Sequence, residues 1–147
     1  MADYDLNEIA DALESRFSGV AMFKVDGVDV PLNVVSEVEG QVVPPAMVII
    51  FDDLDWDLTF ARGSDAFTFV ISVLLRSADS GGGQRILRTA LSTGGVGTKI
   101  KDILEQDTTL GGLVSHAVMT GTRRIGVIQY SGLEYIGADI VIEMVAQ

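Results

Sequence analysis

The sequence contains no cysteine, and only three prolines, one tryptophan and one histidine occur among its 147 residues. Without cysteine the chain has no disulfide framework, no thiolate nucleophile and no thiolate metal site. Basic residues are also few, with 10 Lys and Arg against 21 Asp and Glu, which gives a net charge of −11. Because a nonspecific grip on nucleic-acid phosphates depends on Lys and Arg, this composition argues against a nucleic-acid-binding protein.

Long hydrophobic runs are missing as well. The longest apolar stretch, VVPPAMVIIF at residues 42–51, is shorter than the ~20 residues that cross a bilayer, and it includes a pair of prolines. The first residues, MADYDLNEIADAL, form an acidic amphipathic segment and lack the basic start of a signal peptide. We therefore expect no membrane span and synthesis in a cytosol.

The hydrophobic content is high enough to fill one core. Apolar residues make up 48% of the chain, and neither a regular repeat nor a proline-rich linker divides it. The sequence therefore predicts a single domain, residues 1–147. The elements described next follow the order helix, strands, two helices, strands.

The spacing of apolar residues predicts three helices. Between residues 3 and 17 they recur every three or four positions, which is typical of an amphipathic helix. The same spacing at residues 84–91 predicts a second helix, with Asp79 or Ser80 as its cap. Thr98 is predicted to cap a short third helix.

Alternating apolar and polar residues predict the first strands. Asp26 and Gly27 suit a tight turn between two β-rich runs, which predicts a hairpin. Residues 33–41 are polar and show no pattern. The run AMVIIF at residues 46–51 is typical of a buried central strand, and alternate apolar residues predict a long strand through residues 67–75.

The last third of the sequence predicts a turn at residues 110–112 followed by three strands. Ser131 and Gly132 are expected to turn the chain between the second and third of these. The three predicted strands are residues 113–120, 123–130 and 133–145.

Three aspartates at alternate positions, Asp53, Asp55 and Asp57, match the beginning of a calcium loop. An EF-hand loop also needs glycine at its sixth position and glutamate at its twelfth, where this sequence has Leu58 and Ser64. On a strand the three carboxylates would lie roughly 6.6 Å apart, too far to converge on one ion without a bulge or a second chain. We therefore expect an acidic lumen, interface or solvated face and no metal site.

Catalytic groups do not converge in the sequence. His116 has no Gly-x-Ser-x-Gly elbow to activate, so it is expected to be a satisfied or surface histidine. Asp52 and Asp53 are neighbours on a predicted strand and are expected to face opposite sides. The glycines of STGGVGTK, residues 92–99, follow a helix and lack the order of a phosphate-binding loop. We expect no enzyme activity and no cofactor.

Four stretches of the sequence line up in order with a known family: VVPPAMVI, WDLTFARGSDAFTFVISVLLRSAD, GGVGTKIKDILEQDTTLGGLV and IQYSGLEYIGADIVIEM. Together they resemble the tail terminator, or tail completion, proteins of long-tailed noncontractile bacteriophages (siphophages), especially those of actinobacterial hosts. The similarity spans about residues 42–144. Its most specific parts are a proline pair and two turns: Pro44, Pro45, Arg62, Gly63, Ser64, Asp65, Leu110, Gly111 and Gly112.

The resemblance implies an α+β fold, with a mostly antiparallel, mixed β-sheet on which an N-terminal helix and a central helix pair are packed. It also implies a homo-oligomeric ring, a hexamer in this family, at the head-proximal end of the virion tail, assembled in the cytoplasm of the host bacterium. The expected partners are further copies of the chain, the major tail tube protein and a head-completion or connector protein. DNA would pass through without specific binding, and no membrane would be involved.

Alternatives to this role remain open on the sequence alone. A head-completion or neck joining protein of the same virion would share the small size, acidity and symmetric assembly. A small divalent-ion-binding domain or enzyme would use the carboxylates of residues 52–57. The acidic face itself has two interpretations, because it could repel DNA in a ring lumen or only solvate an exposed strand.

Overall fold

The computed structural model describes residues 4–18, 22–25, 28–31, 33–36, 45–55, 65–77, 83–92, 96–130 and 132–146. These contain three helices and seven strands. In chain order the elements are α1 (Leu6–Phe17), β1 (Met22–Val25), β2 (Val28–Pro31), β3 (Asn33–Val35), β4 (Ala46–Asp55), β5 (Asp65–Ser77), α2 (Gly83–Leu91), α3 (Val96–Gln106), β6 (His116–Tyr130) and β7 (Leu133–Ala146).

The main sheet has five strands in the order β3-β4-β5-β7-β6. β3 runs parallel to β4, and the other neighbouring strands are antiparallel. β1 and β2 form a separate antiparallel hairpin in which Val25 pairs with Val28, so the predicted hairpin is confirmed, while Asp26 and Gly27 lie outside the described residues. The α+β fold with a mostly antiparallel mixed sheet is confirmed.

All three helices contribute to one core on one side of this sheet, called here the helix face. Asp5 caps α1 by accepting a hydrogen bond from the backbone N–H of Asn7 at 2.8 Å, and the predicted apolar stripe is buried at Ile9, Leu13 and Phe17. The alternate apolar residues predicted on β5 and β7 line the same core. They are Phe67, Phe69, Ile71, Val73, Leu75, Ile136, Ala138, Ile140, Ile142 and Met144.

The opposite side of the sheet, called here the far face, carries the residues that alternate with those of the helix face. Its apolar part is a smaller buried cluster that includes Val48, Leu74 and Tyr135. Ser72 and Asp139 are also buried on this side of β5 and β7. The sheet therefore separates a large apolar core from a smaller and partly polar one.

Three predicted features differ from the structure. Residues 113–120 and 123–130 were expected to form two strands, but β6 is one strand that absorbs two bulges while pairing with β7 along its length. The polar segment 33–41 contains β3, because pairing with β4 stabilises a strand that has no apolar alternation. Thr98 lies inside α3, which begins at Val96, so Thr98 is not its cap.

One glycine marks a close approach between the two central strands. A Cβ atom on Gly137 would lie 2.0 Å from the carbonyl oxygen of Val73 on β5. The pairing of β5 and β7 shifts register next to this position, between Leu74 and Arg76. Only glycine fits there without moving one of the two strands.

In the part of the chain that the structure describes, no helix is both long and apolar enough to cross a membrane.

Candidate functional site

The acidic segment predicted from the sequence begins in the second half of β4. Asp53 pairs in register with Thr68 of β5, and Asp55 pairs with Ala66, so these two aspartates occupy alternate positions of the strand as predicted. Asp57 lies outside the described residues. Asp53 is exposed, and its carboxylate accepts a hydrogen bond from the backbone N–H of Leu54 at 2.9 Å.

A bulge at the start of this segment changes the role of Asp52. The register of β4 against β5 shifts between Phe51 and Asp53, so Asp52 is an extra residue with no partner on β5. Its carboxylate accepts a hydrogen bond from Arg123 of β6 at 2.8 Å. The alternation of side chains along β4 is interrupted at this bulge, and the carboxylates of Asp52 and Asp53 have separate hydrogen-bond partners.

The ion pair between Asp52 and Arg123 joins two strands that are separated by β5 and β7 in the sheet. The hydrogen bond that Arg123 donates to Asp52, and then the negative charge of Asp52, raise the pKa of Arg123 above its usual value. Both side chains are still partly in solvent, so the pair is screened and contributes little to stability. Its clearer effect is to orient Arg123 along the far face.

Arg124, the next residue, binds a buried carboxylate. Asp139 of β7 is 1% exposed and accepts hydrogen bonds from the Ser72 hydroxyl and from Nε of Arg124, both at 2.5 Å. The Arg124 side chain itself is 56% exposed. The buried end of this pair is therefore fixed, while more than half of the Arg124 side-chain surface remains in contact with solvent.

A second bulge makes this arrangement possible. β6 shifts register against β7 between Arg123 and Gly126, and Arg124 has a positive φ of 51°, which is uncommon for a residue other than glycine. In a regular strand Arg123 and Arg124 would face opposite sides of the sheet. The bulge instead brings both arginines to the far face. Gly126, with a φ of 128°, is a signal of this bulge in the sequence. It does not identify the carboxylates that the two arginines bind.

These groups surround a cleft on the far face. It has a volume of about 420 Å³ and is lined by Ile50, Asp52, Val70, Arg123, Arg124 and Asp139. Two arginines face two aspartates, so their charges largely compensate one another. The cleft can therefore offer several hydrogen-bond donors and acceptors to a polar surface without presenting a strong net charge of its own.

The outer part of β6 is also apolar. Ile125 is 56% exposed and Val127 is 58% exposed, although both are large aliphatic residues. Val127 pairs with Ile136 of the helix face, whereas the two arginines lie on the far face, so these exposed residues occupy both sides of the edge strand. We call this exposed stretch of β6 the β6 patch and define it as Arg123, Arg124, Ile125 and Val127. The sequence analysis did not identify it, because it assigned these residues to an ordinary strand.

The predicted turn at residues 110–112 is confirmed. Leu110, Gly111 and Gly112 have positive φ angles of 50°, 72° and 92°. Asp107 holds the turn by accepting hydrogen bonds from the Thr109 hydroxyl at 2.6 Å and the Gly111 N–H at 2.9 Å. Its carboxylate also pairs with a cation, since the α1 residue Arg16 donates a hydrogen bond to it at 2.9 Å.

These contacts lower the pKa of Asp107 well below its usual value. The Thr109 hydroxyl has the largest effect, followed by the backbone N–H groups of Gly111 and Thr109, while Arg16 has a smaller effect. All of these interactions favour the ionised carboxylate. Through Asp107, the turn therefore connects α1 with the end of α3 and with the chain leading into β6.

The other residues of the quoted motifs are distributed over the fold. Asp65 begins β5, is nearly buried and accepts a hydrogen bond from the Tyr4 hydroxyl at 2.7 Å. Pro45 precedes β4, and its carbonyl accepts a hydrogen bond from the Asn33 N–H at 3.0 Å. The remaining four lie outside the described residues: Pro44, Arg62, Gly63 and Ser64.

The remaining candidate groups do not converge on the cleft. His116 is exposed at the beginning of β6, which agrees with the expectation of a surface histidine. Within the described ranges, no three His, Cys, Asp or Glu side chains are arranged so that they could hold a metal ion.

In comparisons with known proteins, no protein-family model and no curated protein matches the chain.

Proposed function

We propose that this chain is a structural virion protein that forms a ring at the head-proximal end of a siphophage tail tube. The ring stops tube polymerisation and presents the surface to which the head is attached. The observation that carries the proposal is the ordered resemblance of residues 42–144 to tail terminator proteins. The two turns and the proline pair occur there in the family's order and spacing.

The fold supports the proposal. The resemblance implies an α+β subunit with helices packed on a mostly antiparallel sheet, and the chain has this architecture. A ring also needs surfaces that bind further copies, and a head-to-tail contact that closes on itself limits its own growth. The edge strand β6 offers exposed aliphatic residues for such a contact, since Ile125 and Val127 place more than half of their surface in solvent.

The acidic strand supports a passage for DNA. Asp53 is exposed on β4, and Asp55 follows at the alternate position. Facing a ring lumen, these carboxylates would repel DNA phosphates and keep DNA from adhering. The alternative is that they solvate the strand and discourage edge pairing.

The test is tail length in lysates of the phage whose copy of this gene is interrupted, measured by electron microscopy. Without a terminator the tube continues to polymerise, so we expect overlong tails without heads. Tails of normal length that fail to join heads would contradict the proposal and would move the chain to the head-completion or neck position.

The same interrupted phage, supplied with a variant gene, tests the acidic strand. We expect a gene that encodes Asp53→Asn and Asp55→Asn to restore normal tail length but to reduce DNA ejection and infectivity. Unchanged infectivity would exclude a role in DNA passage and leave only the solvating role.

A further inference from the structure

We propose that Arg123, through its ion pair with Asp52, selects the register in which the middle of β6 pairs with β7. The middle segment is defined here as residues 121–124. Without this ion pair the segment adopts a second register, in which Arg123 turns to the helix face. This choice between two registers goes beyond the proposed function and does not depend on it.

The middle segment breaks the alternation of the rest of β6. On both sides of it odd-numbered residues lie on the helix face, since Ala117 belongs to the main core and Val127 pairs with Ile136 of that core. Arg123 is also odd-numbered, yet it pairs with Asp139 on the far face. Because a shift of one residue turns each side chain to the other face, the two bulges invert this segment alone.

A second register is compatible with the same two ends of β6. The pairing at the hairpin end, where Gly126 lies opposite Gly137, would continue regularly into the middle segment. Arg124 would then lie opposite Asp139, and both extra residues of β6 would be absorbed near Gly121. The number of extra residues is the same in both registers, so it does not decide between them.

The two arginines favour different registers. The second register relieves the backbone of Arg124, whose φ of 51° would become extended, and it keeps Arg124 beside buried Asp139. It loses the hydrogen bond of 2.8 Å from Arg123 to Asp52, because Arg123 turns away. Arg123 would instead lie opposite Ile140, which is apolar and fully buried. The contacts of Arg123 therefore favour the observed register.

The ion pair joins two irregular sites of the sheet. Asp52 is the extra residue at the bulge of β4, and Arg123 lies beside the second bulge of β6. An exposed ion pair contributes little to the free energy of unfolding, but it can decide between two registers that differ in only one segment. The selection of register is a well-attested role of polar contacts that add little stability.

The test is NMR spectroscopy of the purified full-length chain. The Cα and Cβ chemical shifts of Arg124 report whether its φ is positive, and cross-strand NOE contacts identify the residue opposite Asp139. For the wild type we expect a positive φ at Arg124 and contacts between Arg123 and Asp139. A wild type with an extended Arg124 opposite Asp139 would overturn the proposal.

Arg123→Val removes the ion pair and introduces an apolar, β-branched side chain that suits the helix face. We expect this variant to adopt the second register, with an extended Arg124 opposite Asp139. Arg123→Lys retains a positive charge for Asp52 and should keep the wild-type register. A folded Arg123→Val variant with the wild-type shifts and contacts would refute the selection by Arg123.

Asp52→Ala removes only the acceptor of the ion pair. It should raise the population of the second register about twofold, which chemical exchange saturation transfer measures. The matched control is Asp53→Ala, because the neighbouring Asp53 carboxylate accepts its hydrogen bond from the Leu54 N–H, and this variant should keep the wild-type population. An equal change in the two variants, or no change in Asp52→Ala, would exclude Asp52 as the residue that selects the register.

Discussion

At the scale of single residues, the far face contains two aspartate–arginine pairs that differ mainly in burial. Asp139 is almost inaccessible to solvent and satisfies both the Ser72 hydroxyl and Arg124, whereas Asp52 binds Arg123 at the surface. Removal of a buried partner leaves polar groups unsatisfied, but removal of an exposed partner lets water replace it. The two pairs therefore provide a matched comparison within one cleft.

We expect Asp139→Ala to lower the free energy of unfolding by roughly 1–3 kcal/mol, because the Ser72 hydroxyl loses its buried acceptor and Arg124 loses its anchor. Asp52→Ala should change it by about 0.5 kcal/mol or less. Urea denaturation of both variants measures the difference. Equal losses would mean that burial of Asp139 does not determine the stability of this cleft.

Asp107 gives a prediction for the dependence of stability on pH. Its folded-state pKa is lowered, chiefly by the Thr109 hydroxyl, so the folded state stabilises the ionised form of the Asp107 carboxylate. The contribution is fully present above the unfolded-state pKa of about 3.9, and it is lost as the pH falls toward the lower folded-state pKa. Stability should therefore decrease below about pH 4.

The variant Asp107→Asn keeps the size of the side chain and removes its titration. We expect it to melt below the wild type at pH 7, with the difference shrinking as the pH approaches 2. Thermal unfolding followed by circular dichroism measures both curves. A difference that stayed constant over this pH range would exclude ionised Asp107 as its source.

At the scale of elements, the contact between β5 and β7 depends on a missing side chain. Gly137 lies so close to the Val73 carbonyl that any Cβ atom would overlap with backbone, and backbone cannot rotate away as a side chain can. The two strands carry alternate residues of the main core on their helix face. A displacement at Gly137 would therefore disturb the packing of the helices.

We expect Gly137→Ala to lower the free energy of unfolding by about 1–3 kcal/mol, the usual range for overpacking a tightly packed site. Gly121→Ala is the control, since a Cβ atom there would meet nothing within 4 Å. That change should stay within about 0.5 kcal/mol of the wild type in the same denaturation experiment. A large loss in the control alone would contradict the assignment of the close approach.

Elements with one fully buried face were predictable from the sequence. α1, β5 and β7 each show a regular apolar period, because one side of each lies against the main core. β3 lacks this signal, since its stability depends on its parallel partner β4. The continuity of β6 was missed for a similar reason, because two bulges let it follow β7 across the break expected between residues 120 and 123.

At the scale of the whole molecule, the candidate site was only partly predictable. The alternation that places Asp53 and Asp55 is a local pattern, and the register against β5 agrees with it. The contact between Arg124 and Asp139 depends instead on a positive φ angle and on the pairing of β6 with β7. Neither is encoded in the spacing of residues, so the β6 patch became visible only in three dimensions.

The arrangement of the strands also affects the path by which this fold is reached. Tyr130 at the end of β6 pairs with Leu133 at the start of β7, so their hairpin closes with little loss of chain entropy. β5 and β7 are separated in the sequence by both α2 and α3 and by all of β6, so their pairing closes a much longer loop. The largest entropic cost of loop closure in this sheet therefore falls on the central strand pair, whereas the edge strand β6 is held by a local hairpin.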